Sequence, residues 1–526
     1  MSQLTGGAID SRRQPKPETP GGYHAALLAV GCFSLFYFVD IGLRASAKYF
    51  WLDELCTVYL CRLPDLGLVH QAVLHGTDFN PPLFYILTRL ANAAFGEGLV
   101  ISRLPAIVGV WLLCVSLFAM VWRRSGWVPG VVAMLFPLIS QARFYAYEAR
   151  PHGVVLGLAG LAALAWQRLR ESEHRRLWLA VFGMSLWASF LTHCYAIALL
   201  FPFGAAELYH AWRTRKLDGA VLAVMAAGAA VAVALYIPLL RAYRQHVAAS
   251  FFLPSIGSLQ QFYISLLAPA TLAVLACLVV SVLGQFFHKA RYNELSPGAE
   301  LPDGEIALAL GFLALPLAGF MLAVVLRGPF IPRYFESAIL GVSLLGGYAA
   351  RTRSPASWLP ASLAAVFSLL LLFNFGRLVS LQRAGQGELL IESSSKLVLA
   401  TTPGKPLADH QLLLSATAND LPILVVYPVE FAFLENYAPP HIRARLYCSS
   451  PDRGETLGQL LRALRDWCHI PYKLAYDADF LAAHQSFYVY GPLAQEYNNE
   501  RTSQLLGAAC RSMRMDSHHF LAEVVR

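Results

Sequence analysis

Two carboxylates stand side by side at Asp53 and Glu54. A third lies at Asp78, and a fourth, Glu148, precedes Arg150 by two positions. Further along come His193, Arg241 and the adjacent pair Arg333 and Tyr334, with Tyr145 and Tyr147 flanking the Glu148 segment. Carboxylates suit a general base or an oxygen-ligand metal site. Arginine suits a phosphate, because its planar fork matches the phosphate oxygens and stays charged at any working pH. The combination fits a phosphorylated donor attacked by a hydroxyl or an amine, provided that the intervening elements deliver these residues to one place.

The chain that carries them has 526 residues, is 56% hydrophobic and only 14% charged, and has a mean hydropathy of +0.49. Those values exclude a soluble globular domain and indicate a polytopic membrane protein. Residues 1–22 are polar, carry Arg12, Arg13 and Lys16, and read as a disordered cytoplasmic tail. They lack the short apolar core and small-residue cleavage site of a secretory signal. A span needs roughly 20 apolar residues, and basic residues in short loops mark the cytoplasmic side. These rules place crossings at 23–43, 99–122, 127–144, 152–166, 178–191, 196–212, 220–240, 266–287, 306–326, 335–350 and 358–375, about eleven in all. The basic groups at 123–124, 168–176, 213–216, 288–291 and 351–353 then fall inside. The candidate residues from Asp53 to Tyr334 all fall outside, as do Arg143, Tyr195, Arg244, His246 and Arg327. Ionisable groups at membrane depth are costly, and clusters of them face wet cavities where they do work.

The segment 83–95 is apolar but short, with Arg89 and Asn92 on one side. A crossing there would push most later basic loops outside, so it is expected to lie flat on the outer surface as an amphipathic helix, with a second such helix at 54–63. The first outer loop, 44–98, is therefore structured. The chain divides into the tail 1–22, a transmembrane domain 23–376 and an outer domain 377–526. In that last part, strand-length runs at 421–427, 443–448 and 486–490 alternate with helical patterns at 429–437 and 455–467, which predicts a small α/β domain. Residues 381–405, with Gly, Ser, Thr and Pro, read as its linker.

Taken in order, Asp53-Glu54, Asp78-Phe-Asn-Pro-Pro-Leu-Phe-Tyr85, Ser102-Arg-Leu-Pro105, Tyr145-Ala-Tyr-Glu-Ala-Arg-Pro151, Thr192-His193-Cys-Tyr195 and Pro332-Arg-Tyr334 resemble the landmarks of the GT-C membrane glycosyltransferases. The bacterial branch related to protein O-mannosyltransferases and the lipid A aminoarabinose transferase is the most similar. The resemblance covers about residues 23–350; each motif is weak alone, and their order and common sidedness carry the match. One departure is Asn80, where many relatives have His before the double proline. The resemblance implies transfer of a single sugar from a polyprenyl-phosphate carrier to an acceptor on the outer face of a bacterial inner membrane. By match, Asp53 is the base, Glu54 or Glu148 assists, Arg333 with Tyr334 binds the donor phosphate, and Arg150 is a second phosphate ligand. Asp78, Tyr145, Tyr147, His193 and Arg241 are candidate contacts of donor or acceptor.

Each assignment has a structural counterpart. Asp53 and Glu54 can cap a helix, Asp78 can cap the helix opening at Pro81 or Pro82, and Glu148 with Arg150 can form a surface ion pair. Arg333 can be a snorkelling anchor, and His193 a satisfied interfacial histidine. Asp53, Glu54 and Asp78 also have the oxygens to hold a divalent cation such as Mg²⁺ or Mn²⁺. The resemblance implies that arginine can neutralise the phosphate instead, so the metal stays unassigned. The net charge of +8 fits topology signals and anionic headgroups; nucleic acid is an unnecessary partner. Nine scattered cysteines, without a CxxC pair or a His at ligand spacing, indicate neither a zinc site nor a disulfide scaffold, leaving one bridge open among Cys448, Cys468 and Cys510. The rival reading is a transporter or flippase of a lipid-linked or ionic solute, which would bring internal repeats and charges toward the bilayer midplane. Here no repeat is found and the polar clusters sit at one face.

Overall fold

The computed structural model describes residues 20–246, 253–267, 303–326, 330–350, 358–386, 403–415, 420–450, 456–493 and 510–526, with short pieces at 390–392, 397–399 and 505–507 and single residues at 271, 275, 279 and 282. Six of the described helices are long and apolar enough to cross a membrane: within α1 (Pro20–Ala47), α5 (Leu104–Ser125), α9 (Leu200–Thr214) with the turn before it, α10 (Gly219–His246), α12 (Asp303–Leu326) and α14 (Trp358–Arg383). A seventh is broken, its halves Trp127–Ile139 and Gln141–Tyr147 meeting at 73°. The break has a local cause: the Ser140 hydroxyl donates to the Pro137 carbonyl and accepts from the Ala142 amide, so the side chain replaces ladder bonds and the chain turns. Helices also stand at the remaining expected segments, as α7 (His152–Arg168), α8 (Arg175–Thr192) and α13 (Ala338–Ala349). The expected span 266–287 and Arg327 lie almost entirely or wholly outside the described residues, as do Cys277 and the basic loops at 288–291 and 351–353.

Lipid gives no hydrophobic drive between helices, so close approach rests on small residues. Gly153 and Gly157, four apart on α7, face Gly109 on α5. A methyl group added at Gly157 would lie 2.2 Å from the Gly109 carbonyl oxygen, and one at Gly109 would lie 2.3 Å from that of Gly153. This contact fixes the N-terminal end of α7, where Arg150 and His152 sit.

The loop 44–98 holds α2 (Leu52–Arg62), α3 (Leu66–Leu74) and α4 (Leu83–Phe95). The α4 range matches the expected surface helix. Arg89 and Asn92 turn toward protein: Arg89 donates to the carbonyls of Cys61, Leu63 and Pro64 at the end of α2, and Asn92 accepts from the Ser102 hydroxyl. Leu90 and Phe95 stand exposed. Asp65 caps α3, accepting from the Leu68 amide, a helix that apolar periodicity alone did not separate from its neighbours. The expectation for 54–63 needs correction. Instead of a surface helix, α2 is buried from Glu54 to Cys61, because the C-terminal domain covers it.

That domain has a six-stranded sheet in the order β5-β4-β3-β6-β8-β7. Strands β3 (Ile423–Val425), β4 (Leu446–Ser450), β5 (Leu474–Tyr476) and β6 (Ser486–Pro492) are parallel. Strands β7 (Cys510–Met515) and β8 (His519–Val525) extend the sheet antiparallel from β6. The helices α15 (Pro428–Tyr437), α16 (Thr456–Cys468) and α17 (Asp477–Ala483) connect the parallel strands. The expected strands and helices of the tail are present; β5, β7 and β8 are additional. Within the expected linker, β1 (Leu390–Glu392) pairs antiparallel with β2 (Leu397–Leu399). No disulfide joins Cys448, Cys468 and Cys510, which closes the open question for these three.

The domain docks through named contacts. The Tyr437 hydroxyl accepts from the Phe50 amide at 3.0 Å, Tyr59 donates to the Asn436 side chain, and Trp467 stacks on His75 with ring centres 3.9 Å apart.

Candidate active site

The first turn of α2 and a short 3₁₀ turn at Pro332–Phe335 meet at one end of the bundle. There the Asp53 carboxylate pairs with Arg333, Nη2 to Oδ2 at 3.1 Å, though 280 residues separate them in sequence. Their side chains retain 21% and 18% exposure, so this pair reaches solvent. Arg150 anchors the same turn from the side by donating Nη1 to the Asp53 carbonyl oxygen at 3.0 Å.

Glu54 points the other way and is fully buried. Arg103 grips it with Nε to Oε1 at 2.8 Å and Nη2 to Oε2 at 2.9 Å, Lys48 approaches to 3.1 Å, and the Ala149 amide donates to Oε1 at 2.7 Å. Burial alone would raise the pKa of Glu54, but the charges of Arg103 and Lys48 outweigh it and bring the group down to about 2. Lys48 also donates to Glu148 at 3.0 Å, and Trp51 donates its indole N–H to the same oxygen at 2.9 Å. Two buried carboxylates and two buried cations thus form a layer beneath Asp53. Arg103 further donates to the carbonyls of Ala45 and Lys48, fastening the end of α1. Asp40 on α1, with Arg44 and Arg143, forms another buried group next to this layer.

Asp78 neither caps α4 nor stands free. It takes Arg150 as partner, Nη1 to Oδ2 at 2.7 Å, and accepts from the Phe79 amide and the Asn80 side chain. Burial pushes its pKa up, yet Arg150 holds it below the ordinary carboxylate value. Arg150 is therefore bonded to Asp78, and Glu148 to Lys48, rather than to one another. The carboxylates of Asp53, Glu54 and Asp78 face different cations.

Tyr334 lies among rings: His193 at 4.5 Å, Tyr195 at 4.6 Å and His152 at 5.6 Å between centroids. A small cavity opens here, lined in part by His152, His193, Arg333, Tyr334 and Glu336. His193 accepts from the Tyr195 amide; burial, then the nearby positive charge of Arg150, lowers its pKa to about 3, so the imidazole is neutral. Tyr145 meets His152 edge-on, and both Tyr145 and Tyr147 are closed in the core. Arg241 stands exposed on α10 and makes no ion pair with the cluster among the described residues. Motif reading missed the structural parts played by Lys48, Trp51 and Arg103: a Lys at a span end reads as an anchor, and Arg103 was visible only as part of a landmark.

The opposite end of the bundle carries its own ion pairs. Arg124 bridges Glu171 and Glu305, Tyr348 donates to Glu305 at 2.6 Å, and Glu207 accepts from the Trp166 indole at 2.6 Å and pairs with Arg170. Some of these pairs reach solvent as well, Arg123 and Glu171 at 3.0 Å keeping 30% and 22% exposure, so what distinguishes the Asp53 end is the cavity beside Arg333 and Tyr334.

No family model and no curated protein matches the chain. Among solved structures, that of ArnT from Cupriavidus metallidurans in the apo state superposes with a TM-score of 0.54 at 13% identity, covering 96% of this chain and 98% of that one. The same protein bound to undecaprenyl phosphate gives 0.52 at 14% identity over the same shares. This chain has the GT-C fold. The likeness runs through both the membrane helices and the C-terminal domain, so the GT-C architecture here includes the tail. A looser likeness, TM-score 0.41 at 10% identity over 90% of this chain and 70% of the other, is to the oligosaccharyltransferase of Archaeoglobus fulgidus.

Proposed function

We propose that this protein is a glycosyltransferase that moves a single sugar, a hexose or a pentose, from a polyprenyl-phosphate-linked donor to a lipid, glycan or protein acceptor at the periplasmic face of a bacterial inner membrane. The reading takes 1–22 as a cytoplasmic tail, 23–376 as the membrane domain with 44–98 as its structured first loop, and 377–526 as a periplasmic domain. The observation that carries it is the Asp53–Arg333 pair, a base candidate and a phosphate ligand candidate within 3.1 Å of each other at a solvent-reaching position. The fold shared with ArnT, a protein crystallised with undecaprenyl phosphate, supports a lipid phosphate as the donor's carrier.

Before the donor binds, Arg333 masks Asp53. A donor phosphate competes for the guanidinium, and Arg333 moves from carboxylate to phosphate, leaving Asp53 to accept a proton. The acceptor hydroxyl then attacks the anomeric carbon as Asp53 takes its proton. The carbon–oxygen bond to phosphate breaks, and polyprenyl phosphate leaves with the electron pair, its charge held by Arg333. Glu54 and Glu148 act as positioning residues through Lys48, Arg103 and the Ala149 amide. Arg150, with Asp78, fixes the Asp53 backbone and contributes positive charge, and Tyr334 with neutral His193 forms the wall against which the sugar lies. Tyr145 and Tyr147 back that wall, and Arg241 reaches headgroups or donor from the rim.

The test is release of free polyprenyl phosphate from a mixed pool of radiolabelled lipid-linked monosaccharides by the purified protein in lipid. Turnover with one donor, lost in folded Asp53→Ala and Arg333→Ala, supports the transferase and names the sugar. Protein-dependent movement of the intact lipid across the bilayer, without turnover of any donor, overturns it in favour of a flippase.

A further inference from the structure

Three residues distant in sequence meet inside the C-terminal domain: His410 just before a helical turn, Glu430 in the first turn of α15, and His519 at the start of β8. All three are buried, and their ligand atoms lie within 4.8 Å of one another. His519 Nε2 is 2.6 Å and His410 Nδ1 is 3.7 Å from Glu430 Oε1. Tyr490 on β6 closes the group, its hydroxyl 2.8 Å from His410 Nδ1 and its ring stacked on His519 at 5.4 Å.

We propose that His410, Glu430 and His519 form a structural zinc site that ties the start of this domain, its docking helix and its last strand together. Two imidazoles and one carboxylate are a donor set suited to zinc, with the Tyr490 hydroxyl or a water to complete a tetrahedron. Tetrahedral bonds of about 2.0–2.1 Å put neighbouring ligand atoms about 3.3–3.4 Å apart. The present separations of 2.6 and 3.7 Å bracket that spacing, so small side-chain movements suffice. A second observation points the same way. Glu430 is only 9% exposed, and its Oε2 has no hydrogen-bond partner; neither has His519 Nδ1. A buried carboxylate oxygen without a partner is destabilising, and a bound cation satisfies it.

The site also has a consequence for the membrane domain. Helix α15 begins two residues before Glu430 and ends at Tyr437, whose hydroxyl holds the Phe50 amide beside the first outer loop. Fixing so short a helix at Glu430 fixes Tyr437 as well, roughly 10 Å away at 1.5 Å per residue.

The experiment uses the full chain in lipid nanodiscs, stripped with a chelator and then titrated with Zn²⁺ against a chromophoric competitor, with bound metal counted after gel filtration. The expected result is one Zn²⁺ per chain, weakened by more than about 100-fold in His410→Gln, Glu430→Gln and His519→Gln, beyond what loss of an outer hydrogen bond to a ligand causes. No zinc above an empty-nanodisc blank, or binding unchanged in these variants, overturns the site. Should the variants not fold, X-ray absorption of the zinc-loaded native chain decides: two imidazoles in the shell support it, and a shell without imidazole overturns it.

Discussion

Asp53 and Glu54 are neighbours with opposite surroundings, because successive side chains on a helix point about 100° apart. One faces solvent and Arg333; the other is enclosed by Arg103, Lys48 and a backbone amide. Their substitutions should therefore separate. Asp53→Asn is expected to lower kcat by about 10²–10⁴, the usual contribution of a general base, while leaving the melting temperature near that of the native chain. Glu54→Gln is expected instead to destabilise by about 3–5 kcal/mol, because it leaves two buried cations short of a partner. The effect should depend on pH in a defined direction. With its folded pKa at about 2 against an ordinary value of 4.5, Glu54 contributes its full stability above about pH 4.5 and loses it as pH falls toward 2. Thermal unfolding in detergent from pH 7 to 3 should show the gap between native chain and Glu54→Gln narrowing below pH 4.5. Asp78, also depressed, adds to the acid sensitivity of the native chain in the same sense.

At the scale of elements, the α5–α7 crossing sets where Arg150 and His152 stand. Gly157→Leu would drive a side chain into the Gly109 backbone, where even a methyl group would meet the carbonyl oxygen at 2.2 Å. Separation of the two helices should lower both activity and folded yield. Gly31→Ala, at a position with nothing within 4 Å of the added carbon, is the control expected to change neither. The docking of α15 on the loop 44–98 is a subtler case. Tyr437→Phe removes one hydrogen bond to the Phe50 amide and should cost about 1 kcal/mol, read as a lowered unfolding midpoint.

For the whole molecule, the position of the C-terminal domain relative to the membrane is the quantity to measure. Ser512 is exposed on β7, and Lys216 is exposed beyond α9 at the opposite end of the chain's topology. With the domain periplasmic, Ser512→Cys is labelled by a membrane-impermeant maleimide in intact spheroplasts above the native background, and Lys216→Cys only after permeabilisation. The reverse pattern would invert the topology and move the Asp53 cluster to the cytoplasmic side. The same scale explains why α2 is buried: one side of it is covered by Asn436, Tyr437 and their neighbours from a domain almost 400 residues later.

Hydropathy and basic loops determined that the chain is polytopic and which segments are helical, because the cost of an unsatisfied backbone in lipid acts locally on every span. The α4 boundaries and several strands of the tail were legible for a similar reason, since periodicity and end signals reside within each element. The partners of the charged residues were not. Arg333 finding Asp53, Arg150 finding Asp78 rather than Glu148, and Lys48 joining two glutamates follow from how the helices cross, and that depends on glycine contacts between α5 and α7. Spacing along the chain likewise gave no sign of His410, Glu430 and His519 as a group. Sequence records which groups carry charge or lone pairs; only packing decides which of them share a dielectric environment and a few ångströms of space.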